Sequence, residues 1–488
     1  MPECDPEAIK TKEEHFMRKK RVTALMLTAV LALAAVGCGS ENNNAAGEGG
    51  SNAAQSGPET ADSDVEQSGE AEVTLRFLDV SPSETRQKYY EEIFVKFEEE
   101  TGISVVYESV PWDDAANKIT VLGASDQLPD VLTTHSGWLG QLTNSEWIIP
   151  LTDYLGESTE DYTVAVNKLF WQSDKDRFGD IYTIPDGMMV KGIFVRKDWC
   201  EELGIELDPA KGWTYDEYFE VVEKLTDVEK KHYGVSYRGA RGAFDPLMTY
   251  LQNYTGGNTY DSEGNILIKS DECREAFQKW TGLYLNGYAP EDSINWGFTE
   301  MVDNIVGGLT GTLMNDSEVA PTCMENMEDG QWMVMPVPKS EKDGKLYNLI
   351  NGSYSLSISS DSKNPDAAWQ LIEFLTRTDN SSNYCRLSGL IPIKKDAAED
   401  ELYGEGGPYY TFTMQLNDPD LVVPATIGAF DYTDMHQGMM HEEIQKYLLG
   451  DIDADTALNT IADELESRMK DYIKEHPDTS VENALVMQ

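Results

Sequence analysis

Residues 73–132 read VTLRFLDVSPSETRQKYYEEIFVKFEEETGISVVYESVPWDDAANKITVLGASDQLPDVL, and the order of apolar patterns inside them decides the fold. The run Val73 to Leu78 has the composition of a strand. Behind it Tyr90, Ile93, Phe94 and Phe97 fall on one face at helical spacing, and Gly102 stops that helix. Ile103 to Tyr107 reads as a second strand. After Pro111, Trp112 and Asp113 a second helix runs to Gly123, and Pro129-Asp130 introduces a short strand Val131-Leu132. Strands alternating with helices at this spacing predict βαβ units and a mostly parallel sheet.

A second series begins near Ile193 to Val195. Thr214 with Glu217 forms a capping box that opens a helix, and Tyr233 to Ser236 reads as a strand. Phe244 to Tyr254 is predicted helical, ending at Gly256-Gly257, and Asn258 to Ile268 is most simply a hairpin. Ser270 to Leu285 is an amphipathic helix stopped by Gly287. Thr310 to Met314 reads as a strand, Tyr347 to Ser359 alternates, and Pro365 to Arg377 carries a stripe of Trp369, Ile372, Phe374 and Leu375. From Gly428 onward the chain is predicted helical, with Asp455 capping Ala457 to Ile473. Two α/β series, with later segments returning toward the first, predict two lobes.

Upstream, Arg18-Lys19-Lys20-Arg21 precedes fifteen uncharged residues, Val22 to Val36, and then Gly37-Cys38. A helix of that length falls short of the roughly 20 residues needed to span a bilayer, so residues 1–37 read as a secretory signal, with translation expected to start at Met17. Ala34-Ala35-Val36-Gly37 resembles the lipobox of bacterial lipoproteins, which implies acylation (palmitate or a similar chain) at Cys38. Residues 38–72 then form an acidic linker that has no Lys, Arg or aromatic residue and cannot build a core. As a random coil from Gly39 to Glu72 it would reach on the order of 30 Å.

Length and charge narrow the function. With 488 residues, 40% apolar and 26% charged, the chain has material for about two or three domains. A net charge of −49 repels a phosphate backbone, so no nucleic acid partner is expected, and adhesion to anionic lipid would need the covalent anchor.

Six segments, in this order, resemble the extracellular solute-binding proteins of bacterial ABC importers, family 1, the maltose-binding-protein-like group. They are FEEETGISVVYESVPWDDAANKI (97–119), ASDQLPDVLTTHSGWLGQL (124–142), IPDGMMVKGIFVRKDWCEELGI (184–205), GARGAFDPLMTYLQNYTGGNTYDSEGN (239–265), APEDSINWGFTEMVDNIVGGLTGTLMNDSEV (289–319) and WMVMPVPKSEKDGKLYNLINGSYSLSISSDSKNPDAAWQLIEFL (332–375). The resemblance implies an α/β, two-lobed periplasmic-binding-protein type II fold with three crossovers and a cleft between the lobes. Carried onto this chain, the crossings fall near Pro185–Val190, Leu349–Ser353 and Leu390–Lys394. Lobe one would comprise 73–185 with 351–391, and lobe two 186–350 with 392–488. It further implies a monomer at the outer face of the bacterial cytoplasmic membrane, working with two permease subunits and a cytoplasmic ATPase.

A sugar offers a C–H face and a rim of hydroxyls, so its cleft should combine aromatic planes with hydrogen-bonding side chains. Trp112 before the second helix, and His135 and Trp138 after the third strand, lie where ligands bind in open α/β sheets. On lobe two, Arg238, Arg241, Phe244 and Asp245 form a Gly-rich loop, and a guanidinium fork suits hydroxyl or carboxylate recognition. Asp316 and Glu318 follow a strand at a position where related proteins often place a ligand contact. The maltose-binding relative has Trp there, which speaks against maltodextrin. Trp296, Asn351, Tyr354, Phe430 and Tyr432 complete the candidates. Lys191 reads either as a lysine buried beside a carboxylate or as a strand lysine facing water.

No G-x-S-x-G, G-x-x-x-x-G-K-[ST], G-x-G-x-x-G or H-E-x-x-H occurs. His436 and His441 diverge by about 140° on a helix, and Asp451, Asp453 and Asp455 lack the Gly and Glu of a calcium loop. No metal and no cofactor are therefore expected; the missing motifs do not exclude an enzyme, and the expectation of no catalysis comes with the solute-binding resemblance. Cys200, Cys273, Cys323 and Cys385 are expected as unpaired thiols. The leading expectation is a lipoprotein that captures a mono- or oligosaccharide for an ABC importer. The alternatives are a cell-surface glycoside hydrolase and a binding protein for a non-sugar polar solute.

Overall fold

The computed structural model describes residues 73–135, 138–352, 354–424, 435–477 and 481. Strand β1 (Thr74–Asp79) leads into helix α1 (Glu84–Thr101), which Ser83 caps by accepting a hydrogen bond from the Arg86 N–H. Its buried face is Tyr89, Tyr90, Ile93, Phe94 and Phe97, and Gly102 ends it in the left-handed conformation at φ 74°. There follow β2 (Ser104–Ser109), α2 (Trp112–Gly123), β3 (Val131–Thr134) and β4 (Ile184–Pro185). β1 pairs in parallel with both β2 and β3.

The chain then runs through β5 (Met188–Arg196), α3 (Tyr215–Leu225), α4 (Phe244–Thr255), α5 (Asp271–Leu285), β6 (Thr312–Asp316) and β7 (Trp332–Pro336). After β8 (Leu346–Tyr347) and β9 (Ile350–Gly352), strand β10 (Ser355–Ile358) inserts antiparallel between β3 and β4. The first sheet thus has the order β2-β1-β3-β10-β4, and a second sheet is built on β5, which pairs antiparallel with β6, β7 and β9. Each sheet carries its own helices, which gives two α/β lobes. The chain passes from one sheet to the other between Pro185 and Met188 and again between Gly352 and Ser355, while Ile391 bridges to Met188.

Later elements include α6 (Pro365–Leu375), α7 (Thr378–Ser388), α8 (Tyr410–Leu416), β11 (Leu421–Val422), which pairs with β8, and α9 (Ala454–Glu475). Among the described residues no helix is long and apolar enough to cross a membrane. α6 packs its stripe of Trp369, Leu371, Ile372, Phe374 and Leu375 against α1 and the first sheet, with Phe97 and Phe374 at 5.2 Å between ring centroids. Lobe two has its own core around Tyr215, Tyr218, Tyr250, Phe277 and Leu458.

Three local expectations are corrected. Helix α9 starts at Ala454, and Asp453 is the cap, accepting from the Thr456 N–H at 2.8 Å; Asp455 pairs instead with Arg274 at 2.6 Å. The segment 258–268 forms a single bridge, Tyr260 to Ile266, because Asp261 draws the turn inward by accepting from the Glu263 and Asn265 N–H groups. Tyr233 to Ser236 bridges Thr310 at Tyr233 and donates from Ser236 N to Thr312 O, but Val235 N turns to Tyr288 O, so it runs beside β6 without a regular ladder.

Candidate functional site

Both lobes aim strand ends and helix starts at one region. On lobe one, α2 begins at Trp112 and β3 ends just before His135. Trp112 and Trp138 stack at 4.8 Å between ring centroids with a 23° interplanar angle. The Trp112 ring meets His135 edge-on at 5.1 Å and Tyr354 at 5.7 Å. Behind this half-exposed cluster stand buried Leu78, Val80, Val110 and Leu132, which fix the rings from below. Aromatic planes so held lose little rotamer freedom when a ligand stacks on them.

Beneath Tyr354 lies a buried charge network. The Arg86 guanidinium sits 4.8 Å from the Tyr354 ring centroid, binds Asp79 at 2.9 Å, hydrogen-bonds the Tyr384 hydroxyl and lies 3.6 Å from Asp186. Tyr384 donates to Asp186 at 2.7 Å, and Tyr107 donates to Asp79 at 3.0 Å. Burial, reinforced by Asp186 against Arg86, raises the Tyr384 hydroxyl well above the ordinary phenol range, so it stays a donor. Asp186 lies in the first crossing and Asp79 at the end of β1, so one cation ties the hinge to lobe one.

On lobe two, Lys191 and Asp316 are register partners on β5 and β6. Lys191 Nζ binds both Asp316 oxygens, at 3.0 and 2.9 Å, and Lys191 is 6% exposed, so it is the lysine buried beside a carboxylate. Arg238 folds back to donate from Nε to the Arg241 carbonyl at 2.7 Å. A Cβ on Gly242, at φ 84°, would stand 2.3 Å from that guanidinium, which is why the loop needs glycine there. Lys191, Arg238, Asp245 and Asp316 line one cavity of about 40 Å³.

Glu318 joins the two halves. Burial, and then the like charge of Asp316, push its carboxyl up to about 7 against the pull of Lys191, Arg238 and Arg86. Burial raises the Tyr354 hydroxyl and the charge of Glu318 adds to it, so a lobe-two carboxylate acts electrostatically on the lobe-one aromatic cluster.

Of the candidates read from sequence, the structure gathers Trp112, His135, Trp138 and Tyr354 in one cluster and Lys191, Arg238, Asp245 and Asp316 in another, bridged by Glu318. Arg241 serves the loop through its carbonyl. Phe244 (1% exposed) and Trp296 (4%) are packed into hydrophobic cores, a correction whose cause is local: Phe244 opens α4 facing inward, and Trp296 closes a short turn against Met301 and Ile305. Asn351 sits on β9 opposite Met189. Phe430 and Tyr432 lie outside the described residues. A groove of about 1240 Å³ lies elsewhere, between 163–169, the crossing residues Met188 and Ile391, and 403–423, and none of the candidates lines it. Sequence reading missed Asp79, Arg86, Asp186 and Tyr384, although Asp186 stands inside the quoted crossing segment.

Two hinged α/β lobes that present aromatic planes on one side and charged hydrogen-bonding groups on the other define a two-lobed solute-binding protein of the type II fold. The chain belongs to the bacterial extracellular solute-binding protein family, whose model matches residues 81–381. A binding protein of Brucella abortus (strain 2308) is 21% identical over 384 residues, covering 78% of this chain and 90% of its own length. A solute-binding protein of Thermotoga lettingae solved with α-D-tagatose superposes with a TM-score of 0.67 at 19% identity, over 81% of this chain and 99% of that one. One from Agrobacterium radiobacter in complex with ribitol gives a TM-score of 0.67 at 18% identity, over 81% and 98%.

Proposed function

We propose that this protein captures a sugar or polyol outside the cell and hands it, chemically unchanged, to the permease of an ABC importer. The observation that carries the reading is the pairing of a Trp112–Trp138–Tyr354 platform with the Lys191–Asp316–Glu318 side of the other lobe. A solute touching both faces binds the closed arrangement better than the open one, and that difference in affinity is what drives closure. The similar proteins solved with α-D-tagatose and with ribitol support the choice of a sugar or polyol.

The reading includes the lobe assignment, 73–185 with 351–391 and 186–350 with 392–488, supported by sheet membership. It also includes removal of residues 1–37, acylation of Cys38, the 38–72 tether, the location at the outer face of the cytoplasmic membrane and a monomeric state, supported by the sequence pattern at 18–38 and the family. The clustered carboxylates favour one rival, a glycoside hydrolase, since Glu318 titrating near 7 suits a general acid. Against it, both Asp316 oxygens are engaged by Lys191, so Asp316 is not available as nucleophile or base beside Glu318.

Tryptophan fluorescence and calorimetry with D-tagatose, maltose, ribitol and D-mannitol, and scattering on the same samples, test the function. Saturable binding with compaction is expected for at least one. Folded protein that responds to none, or chromogenic glycosides that are turned over, would refute it. For the anchor, Cys38→Ser should release the protein from cells into the medium.

A further inference from the structure

We propose that the small cavity behind Lys191 and Asp316 is a recessed subsite that takes one uncharged, hydroxyl-bearing carbon of the solute, such as the hydroxymethyl end of a sugar or linear polyol, and rejects a carboxylate or ammonium group there. This deepens the carbohydrate reading above and rests on it. The cavity holds about 40 Å³ and is walled by Lys191, Tyr218, Ser236, Arg238, Asn315 and Asp316. A single water needs about 10–15 Å³ on such a measure and drug-sized ligands fill several hundred, so the space fits one substituent and excludes a ring.

Asn315 supplies the chemical demand. It is 6% exposed, and its Oδ1 accepts from the Asp316 backbone N–H at 2.8 Å. A backbone N–H can face only the oxygen of the amide, so the side-chain orientation is fixed, and Nδ2 is left with no acceptor among the described residues. The buried Tyr218 hydroxyl lies beside Thr312 and has no other hydrogen-bond partner among the described residues. A polar group left so is destabilising unless something polar fills the space.

Charge selects what that something is. The walls carry Lys191 and Arg238 against Asp245 and Asp316, a balanced set. Lys191 is committed to both Asp316 oxygens and Arg238 Nε to the Arg241 carbonyl. A carboxylate guest would set three negative charges against the two cations of the wall, and an ammonium guest would set three positive charges against its two anions and meet the Asn315 N–H donors. A hydroxyl accepts from Asn315 and donates to the Tyr218 oxygen, satisfying both. Asp316 on the cavity wall is followed by Ser317 and Glu318, whose backbone packs against Gly389 of lobe one, so the cavity adjoins the boundary between the lobes.

Crystals of the protein soaked in glycerol, alone and after titration with neutral and charged congeners, test this. A glycerol hydroxyl within hydrogen-bond distance of Asn315 Nδ2 is expected. An Asn315 that turns to a protein acceptor, or a water there that glycerol does not displace, overturns the subsite. In calorimetry, D-glucose or D-glucitol should bind at least about tenfold more tightly than D-glucuronate or D-glucarate, and Asn315→Asp should weaken the neutral member by about tenfold. Acids that bind as well as the neutral compounds overturn the proposal even if Asn315→Asp fails to fold. If no sugar or polyol binds, the carbohydrate reading falls and the glycerol soak alone decides the subsite.

Discussion

Gly389 ends α7 of lobe one at φ 72° directly against the lobe-two backbone at Ser317 and Glu318. A Cβ added there would lie 2.7 Å from Glu318 Cα, 2.8 Å from Pro321 Cδ and 2.9 Å from the Ser317 carbonyl oxygen. None of these atoms ends a flexible side chain, so relief requires the segments to move apart by about 1 Å, given an ordinary carbon–carbon contact of about 3.5–4.0 Å. Gly389→Ala therefore carries two costs. The left-handed backbone adds about 1–2 kcal/mol in any arrangement of the lobes, and the overlap adds about 1–3 kcal/mol in this one. Gly102, at φ 74° with nothing within 4 Å of its added Cβ, isolates the first cost. We expect urea denaturation to show Gly389→Ala losing about 1–3 kcal/mol more than Gly102→Ala, unless the lobes separate to relieve the overlap. In that event the two stability losses converge, while solute affinity in Gly389→Ala alone drops by about 5- to 150-fold, the equivalent of the same overlap energy. Equal stability losses together with unchanged affinity in both variants would refute the reasoning that these segments are in obligatory contact.

Other consequences are as direct. Lys191→Met leaves Asp316 buried without a counterion beside Glu318 and should cost about 3–5 kcal/mol, while Lys191→Met with Asp316→Leu should recover most of it; a single-variant cost below about 1 kcal/mol argues against the pair. Glu318 has a folded pKa of about 7 against an ordinary 4.5, so between those values the native state holds a proton the unfolded chain has released. Stability attributable to Glu318 is thus present below about 4.5 and is lost as pH rises to about 7. Accordingly, Glu318→Gln should gain on the wild type across that window and level off above it, and urea midpoints that run parallel from pH 4 to 8 would contradict this. Burial pushes the thiols of Cys200 and Cys323 up to about 12 and raises those of Cys273 and Cys385 as well. All four are buried and unpaired, so thiol reagents should modify them only at the rate of unfolding; rapid labelling of the native protein would show otherwise.

Much of this molecule is legible one segment at a time. The 73–132 pattern yields β1, α1, β2, α2 and β3 within a few residues, because a strand alternation, a helical stripe and a terminating glycine are all local signals. The aromatic half of the site is equally local: Trp112, His135 and Trp138 follow strand ends, and such positions face the cleft in any open α/β sheet. The capping box at Thr214 and Glu217 formed where the spacing placed it.

Tertiary structure decided what depends on distant partners. Arg86 meets Tyr384 across 298 positions, and Lys191 meets Asp316 across 125. Neither pairing leaves a periodic trace, since the energy of a buried charge depends on which opposite charge packing delivers to it. The same holds for Asp453 against Asp455, two equally good caps until Arg274 on another helix engages one of them. Local hydrophobic period and turn chemistry determined the elements of this chain. Packing at a low dielectric, where an unpaired charge is too costly to keep, determined which of its polar side chains converge between the lobes.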